Sequence, residues 1–337
     1  MQLGKFPRVR LITLPTPFEY APNLSKELGV KVYFKRDDVM ELAFGGNKAR
    51  KLEFLMADAI NKGADTVITT GSVCSNHARL TAAAARKLGL NAVLILRAEG
   101  PKAVKGNLLL DAILGADIRI VEAEKAEIPK IMEETAKELS ESGGKPYIIP
   151  GGGANAIGAL GYLNASVELL HQLNELKIKA DYLIHSAGSG ATQTGLTLGF
   201  KALNADIQVF GIACGGDKLS ITHVVKRLAD STSKLVGLPF TLNYNEITVY
   251  DEYTCGGYGI VTREVADILK KVAKLEGILL DPIYTGKAML GLFDLVDKGE
   301  IPKGSTVIFL HTGGTPLIFQ YEDELKKYGF EVAWPSK

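Results

Sequence analysis

Thr66-Val67-Ile68-Thr69-Thr70, Ala92-Val93-Leu94-Ile95-Leu96, Ile118-Arg119-Ile120-Val121 and Tyr147-Ile148-Ile149 are short apolar runs, and the helical patterns between them decide the fold. Runs of this length, rich in β-branched residues and apolar on both faces, read as buried parallel strands. The intervening stretches, such as Ala78 to Leu88 and Ile128 to Leu139, are long enough to return the chain in the same direction. A second series runs through Asp181-Tyr182-Leu183-Ile184-His185, Gln208-Val209-Phe210-Gly211-Ile212 and Thr306-Val307-Ile308-Phe309-Leu310. The fold class is therefore α/β, with two doubly wound, mostly parallel open-sheet domains. Val32-Tyr33-Phe34-Lys35 reads as an edge strand of either sheet. Pro150-Gly151-Gly152-Gly153 and Gly158-Ala159-Leu160-Gly161 mark a return of the chain. A small domain over residues 52–160 is thus expected as an insertion in a large domain made of residues 1–51 and 161–337.

Composition narrows the functional classes. A hydrophobic fraction of 46% against 23% charged, over 337 residues, suits a globular enzyme of two lobes and excludes disordered and collagen-like chains. Lys+Arg 39 against Asp+Glu 38 leaves a net charge of +1, with no basic run interleaved with aromatics, so the expected partner is a small molecule and not a nucleic acid. Cys74, Cys214 and Cys255 lie far apart without CxxC spacing, which argues against a disulfide framework and a structural zinc site and fits a reducing cytoplasm. Met1 to Arg10 has no apolar leader pattern and no stretch reaches bilayer length, so neither export nor membrane insertion is expected.

In open α/β sheets ligands bind beyond the carboxyl ends of strands, and the polar, glycine-rich motifs of this chain fall there. Ser186-Ala187-Gly188-Ser189-Gly190-Ala191-Thr192-Gln193-Thr194-Gly195 lies between a strand and a helix, where backbone N–H groups suit a phosphate and Ser189, Thr192 and Thr194 add hydroxyls. A dinucleotide fingerprint fails at Gln193, where its third glycine belongs, and a P-loop fails at Leu196, where its lysine belongs. The loop reads as a cup for a monophosphate. Gly45-Gly46-Asn47-Lys48 precedes an amphipathic helix, the glycines admitting close backbone approach to a planar ligand, Asn47 capping the helix and Lys48 offering an amine for a Schiff base.

Ser75-Asn76-His77 opens another helix, where Ser75 or Asn76 either caps it or holds a substrate carboxylate or a phenolate oxygen. Asp281-Pro282-Ile283-Tyr284-Thr285-Gly286-Lys287 supplies a phenol and a hydroxyl, with Lys287 reading as a solvated helix-start residue, and Tyr258 between Gly257 and Gly259 supplies a second phenol. His311-Thr312-Gly313-Gly314-Thr315-Pro316 presents Thr312 to a ring in the cleft, while His311 itself reads as structural. A phosphate cup, an amine and a ring-facing hydroxyl together suggest pyridoxal 5'-phosphate.

Taken in order over nearly the whole chain, these motifs resemble the 1-aminocyclopropane-1-carboxylate (ACC) deaminase and D-cysteine desulfhydrase family, pyridoxal phosphate enzymes of the tryptophan synthase β type (fold type II), which are usually homodimers. The resemblance implies that Lys48 is the Schiff-base lysine, that Asn76 holds the phenolate oxygen with His77 close by, and that Gly188, Ser189, Gly190, Ala191 and Thr192 bind the phosphate. It also implies catalytic roles for Ser75, Tyr258 and Tyr284. ACC deaminases of the family carry glutamate where this chain has Thr285 and leucine where it has Thr312, two cofactor-facing positions. A carboxylate keeps the pyridine nitrogen protonated and the ring a strong electron sink, and a hydroxyl does so less well. Opening a cyclopropane needs the stronger sink, whereas hydrosulfide is a good leaving group. The resemblance therefore implies a lyase converting D-cysteine to pyruvate, ammonia and hydrogen sulfide, with ACC deamination to 2-oxobutyrate and D-serine or cysteate elimination as alternatives. Because water enters as ammonia is released, hydrolase chemistry is also implied. The family usually has glutamine where this chain has Cys74, which is expected to reshape the carboxylate side of the pocket.

Overall fold

A computed structural model describes residues 2–330. The strands are β1 (Phe18–Tyr20), β2 (Lys31–Arg36), β3 (Thr66–Ser72), β4 (Asn91–Arg97), β5 (Asp117–Val121), β6 (Pro146–Ile148), β7 (Tyr182–Ala187), β8 (Gln208–Ala213), β9 (Thr248–Tyr250) and β10 (Thr306–His311). The apolar runs seen in the sequence become the central strands because Val67, Ile68, Leu94, Ile95, Ile184, Ile212 and Phe309 are covered on both faces by helices. One sheet has the order β5-β4-β3-β6 and is parallel throughout, with Val67 opposite Ala92 and Tyr147. The other has the order β1-β2-β10-β7-β8-β9, in which only β1 runs antiparallel to its neighbour.

β2 departs from expectation. It is an inner strand between β1 and β10, and Val32 and Phe34 are wholly buried. Lys35 is buried too, because its ammonium donates to Glu168 at 2.6 Å, the Thr16 carbonyl at 2.8 Å and Gln172 at 2.6 Å. The short strands β1 and β9 were not visible as periodic runs. The four-stranded sheet lies inside the insertion expected over 52–160, and residues 52 and 160 fall within two long helices, Lys48–Asn61 and Ala156–Glu175.

These helices pack on each other around a buried charge network. Arg50 lies on the turn after Lys48, and its guanidinium donates to both carboxylate oxygens of Asp37 at 2.8 Å and to those of Glu168 at 2.8 and 2.9 Å. The Tyr162 hydroxyl also donates to Asp37. Burial alone would raise the Glu168 carboxyl, but hydrogen bonds and charge from Arg50, with Lys35 beyond, bring it down to about 2. Breaking one partner of such a pair strands the other charge in the interior.

Arg50→Met is therefore expected to cost about 3–5 kcal/mol in urea unfolding, against which a change below about 1 kcal/mol would contradict the account. The folded Glu168 value lies below the ordinary 4.5. Its contribution to stability is thus complete above that value and is lost as pH falls toward 2; Glu168→Gln should flatten the acid limb of a stability–pH profile.

Candidate active site

The Lys48 amine is placed by backbone that only glycine allows. Gly45 has φ +59° and Gly46 φ +120°. A Cβ on Gly45 would lie 2.6 Å from the carbonyls of Asp38 and Met40, and one on Gly313 would lie 2.7 Å from the Gly46 Cα. This close approach lets Asn47 N–H donate to the Thr312 carbonyl at 3.0 Å, so the Lys48 loop lies against the loop after β10. Asn47 does not cap its helix with its side chain; its amide reaches across the cleft and donates to the Thr192 hydroxyl at 3.1 Å. Lys48 is partly open to the cleft yet enclosed by protein, and this desolvation, partly offset by Cys214 and Lys51, brings its ammonium down to about 8. Directly beside it, Lys51 is fully buried, donates to the Gly152 carbonyl at 3.2 Å, and is pushed well below the usual lysine range by burial and then by Lys48.

Across the cleft, β7 ends at Ala187 and the helix Ala191–Ala202 begins after Gly190, whose φ is +86°. The N–H groups of its first turn have no partner within the helix and face the space beyond the strand end. Thr192 accepts from Asn47 and keeps its own proton to give. Thr194, expected to contribute a hydroxyl, instead turns toward the neighbouring helix and donates to the Val225 carbonyl at 3.3 Å. Opposite the loop lies Gly152, where a Cβ would sit 2.4 Å from Ser189 Oγ and 3.9 Å from Lys48 Nζ.

At the end of β3, Ser75 caps the helix Asn76–Lys87 by accepting from Ala78 N–H at 3.1 Å, which leaves its hydroxyl proton available. The Thr69 hydroxyl gives its proton to the Ile149 carbonyl, so His77 Nε2, 2.9 Å from the Thr69 oxygen, must be the donor of that contact. His77 Nδ1 is then a buried acceptor without a partner among the described residues. Burial first, and then the cations Lys48 and Lys51, keep this imidazole neutral. Cys74 points away from this cleft edge; its Sγ is 3.5 Å from the Tyr321 hydroxyl and packs against Gly100, and burial pushes its thiol up to about 11. The side chain expected to reshape the pocket is thus part of its support.

Tyr284 and Tyr258 meet at 2.6 Å between hydroxyls, and Tyr258 continues to the Ser72 hydroxyl at 3.0 Å. Burial pushes the Tyr258 phenol up to about 12 and drives Tyr284 in the same direction, so both carry their protons at neutral pH. The loop carrying Tyr258 is pinned by Lys287. That residue is not solvated: it is wholly buried, and its ammonium donates to the carbonyls of Thr254 and Gly257 at 2.7 Å and of Cys214 at 3.1 Å. Three carbonyl acceptors match the three protons of an ammonium, which is why a lysine is held inside. Cys214 is itself buried, and burial pushes its thiol up to about 12.

Thr285 gives its proton to Asp281 at 2.7 Å, and Thr312 shares one with Ser186 at 2.8 Å. Lys48, Ser189, Thr192 and Thr312 are thus linked through one set of loops, while Ser75 to His77 and the tyrosine pair close the opposite wall. Sequence reasoning missed Lys51, Gly152, Ser72 and the structural role of Lys287. Of these, only Lys51 carried a signal, one helical turn from Lys48 on the same face. Among the described residues no His, Cys, Asp or Glu cluster is arranged to hold a metal, and no helix is long and apolar enough to cross a membrane.

A family model described as "Pyridoxal-phosphate dependent enzyme" matches residues 9–313. A protein of Pyrococcus abyssi (strain GE5 / Orsay), provisionally named 1-aminocyclopropane-1-carboxylate deaminase, is 49% identical over 324 residues, covering 96% of each chain. The D-cysteine desulfhydrase of Klebsiella pneumoniae (strain 342) is 39% identical over 337 residues, covering 96% of this chain and 98% of that one. The crystal structure of an ACC deaminase homologue is similar with a TM-score of 0.91, 48% identity and 97% coverage of both chains. O-ureido-L-serine synthase, at 18% identity, 95% coverage of this chain, 94% of that one and a TM-score of 0.68, shares the fold.

The depressed Lys48 value makes a direct expectation for the cofactor-free protein. The amine reacts with an aldehyde only when deprotonated, so its rate with pyridoxal should rise with pH and level off above about 8. Growth of the visible absorption band, absent in Lys48→Ala, measures it; a midpoint near the ordinary 10.5 would contradict the desolvation.

Proposed function

The chain belongs to the pyridoxal-phosphate dependent enzyme family, and from this premise we propose that it is a lyase acting on a small amino acid, with D-cysteine the substrate that its site suits best. Pyridoxal phosphate is the cofactor of the family. The residues present fit it: an amine with lowered basicity at Lys48, a cradle that a Cβ on Gly152 would fill between Lys48 and Ser189, and an unpaired amide N–H₂ on Asn76. In this reading Lys48 would bond the cofactor, and Gly188, Ser189, Gly190, Ala191 and Thr192 would hold its phosphate at the helix N-terminus. Asn76 would donate to its phenolate oxygen with His77 close by, and Thr285 and Thr312 would lie on the side toward its ring. Bound there, pyridoxal phosphate supplies the electron withdrawal that lets an α-proton leave.

The observation that carries the choice of substrate is the state of Asp281. It is the carboxylate next to Thr285, yet it is consumed by the N–H groups of Ile283, Tyr284 and Thr285 and by the Thr285 hydroxyl. In this reading the side near Thr285 and Thr312 offers the ring no free carboxylate, because Asp281 is fully engaged with the Thr285 turn. Such a site suits a substrate whose leaving group already stabilises negative charge.

The chain's own residues do the remaining work. The Ser75 hydroxyl and the N-terminus of the Asn76–Lys87 helix bind the substrate carboxylate. Lys48, neutral above about 8 and readily deprotonated just below it, carries the α-proton away. The neutral phenols of Tyr258 and Tyr284 stand on the far wall as donors to the departing sulfur. The net change is D-cysteine plus water to pyruvate, ammonia and hydrogen sulfide. Water adds only after the carbon–sulfur bond has broken, so the reaction is an elimination, and the hydrolase expectation is corrected to lyase. We also infer a homodimer working in a reducing cytoplasm, a setting that suits three free cysteines.

A second reading, ACC deamination, is favoured by the name of the Pyrococcus abyssi relative and by the presence of both Ser75 and Tyr284. Cofactor-loaded protein given D-cysteine, L-cysteine or ACC separates the two: pyruvate with matching sulfide from D-cysteine and no 2-oxobutyrate from ACC is expected, while 2-oxobutyrate would move the assignment to the deaminase. Lys48→Ala should lower turnover by ~10³-fold or more. Retention of the visible cofactor band in that variant would remove Lys48 from its role.

A further inference from the structure

We infer that Asn107 and Arg79 are positioning residues that orient and polarise the Asn76 amide, and so set the charge distribution of the bound cofactor. The inference rests on the reading above in which Asn76 faces the phenolate oxygen. Asn76 Oδ1 accepts from Asn107 Nδ2 at 2.8 Å and faces Arg79 Nη1 at 3.4 Å. Turning the amide over would set its N–H₂ against two donors, so the oxygen points to the relay and the N–H₂ is left without a partner among the described residues.

Asn107 is equally constrained. It is wholly buried at the start of the helix Gly106–Ile113. Its Oδ1 accepts from Arg79 Nη1 at 2.8 Å, and its Nδ2 donates both to the Cys74 carbonyl at 2.8 Å and to Asn76. Its backbone N–H donates to Gln320 Oε1 at 3.2 Å. No other rotation of its side-chain amide satisfies Arg79, the Cys74 carbonyl and Asn76 together.

The source of polarisation is a guanidinium that makes no salt bridge among the described residues. Arg79 is wholly buried, and its Nη2 donates to the Gly45 carbonyl at 2.8 Å, on the loop that delivers Lys48. The acidic group facing it is Asp111, whose two oxygens are buried with no hydrogen-bond partner among the described residues. Burial raises the Asp111 carboxyl and lowers Arg79, each opposed by the other's charge, and with no hydrogen bond between them the guanidinium's Nη donors go to Gly45, Asn107 and Asn76. The chain from guanidinium to Asn107 to Asn76 therefore runs in one direction, each donor strengthened by the one behind it. The same guanidinium holds the Lys48 loop, so the amine and the amide that would grip opposite ends of one proton-sharing pair are set by a single side chain.

The test is spectroscopic and uses the cofactor-loaded protein. A donor to the phenolate oxygen draws charge from it and loosens the proton shared between that oxygen and the Lys48 nitrogen. Asn107→Ala weakens the donor, so the pH midpoint of the visible band should rise by about one unit while the amount of bound cofactor is unchanged. Asn107→Asp, isosteric but without the Nδ2 donors, should shift it the same way and serves if the alanine variant folds poorly. If Asn107 acts through Asn76, the double variant Asn76→Ala/Asn107→Ala should shift no further than Asn76→Ala alone. An intact band with an unmoved midpoint, or additive shifts, would overturn the inference. Absence of any visible band in the unsubstituted protein would instead overturn the cofactor-site reading on which it rests.

Discussion

Everything at the cleft depends on a guanidinium kept away from water. Arg50 satisfies Asp37 from the turn after β2 and Glu168 from the Ala156–Glu175 helix at once, two residues beyond Lys48. Charges placed inside a protein hold position only when every lone pair and proton is used, and here Tyr162, Thr16 and Lys35 use the remainder. The first turn of the Lys48–Asn61 helix is thereby bolted to the six-stranded sheet, while its later turns cover the four-stranded one. The amine sits at the seam because the bolt does.

The cleft is built from dehydrated cations that meet different fates. Lys48 and Lys51, lacking anionic partners, lose basicity to burial. Lys287 is lowered by burial as well, but three carbonyls take its protons and make it an anchor. Arg79 finds a carbonyl and two amides. The difference lies in what the surrounding backbone offers: carbonyls arranged by positive-φ residues around Cys255 to Gly257 solvate an ammonium, whereas the glycine turn at Gly152 offers Lys51 only one oxygen. Nucleophile, anchor and polariser thus follow from local hydrogen-bond supply and not from residue type.

This explains what could and could not be read in the sequence. The central strands were legible because burial on both faces forces apolar continuity, as in Val93 to Leu96. The Lys48, Ser75 and Gly188 motifs were legible because unusual backbone needs glycine and helix starts need small polar side chains. β2 was misplaced because Lys35 breaks its apolar run, and the reason it can do so, Glu168, lies far along the chain. Lys287, Arg79 and Asn107 look like ordinary surface residues of helices; only the tertiary fold gives them partners. Asn47 and Thr194 had the right chemistry for cap and phosphate donor, but Thr192 and Val225 compete for them.

Cys74 and Cys214 have a consequence for a protein proposed to release hydrosulfide. Sulfide in contact with air forms polysulfides, which capture thiolates and build persulfides on them. Both thiols are buried behind the cleft surface, and burial holds each in its protonated form, in which sulfur is a poor nucleophile. Buried and protonated, neither thiol meets the proposed product as a nucleophile, so a site that releases sulfide would not modify its own supporting walls.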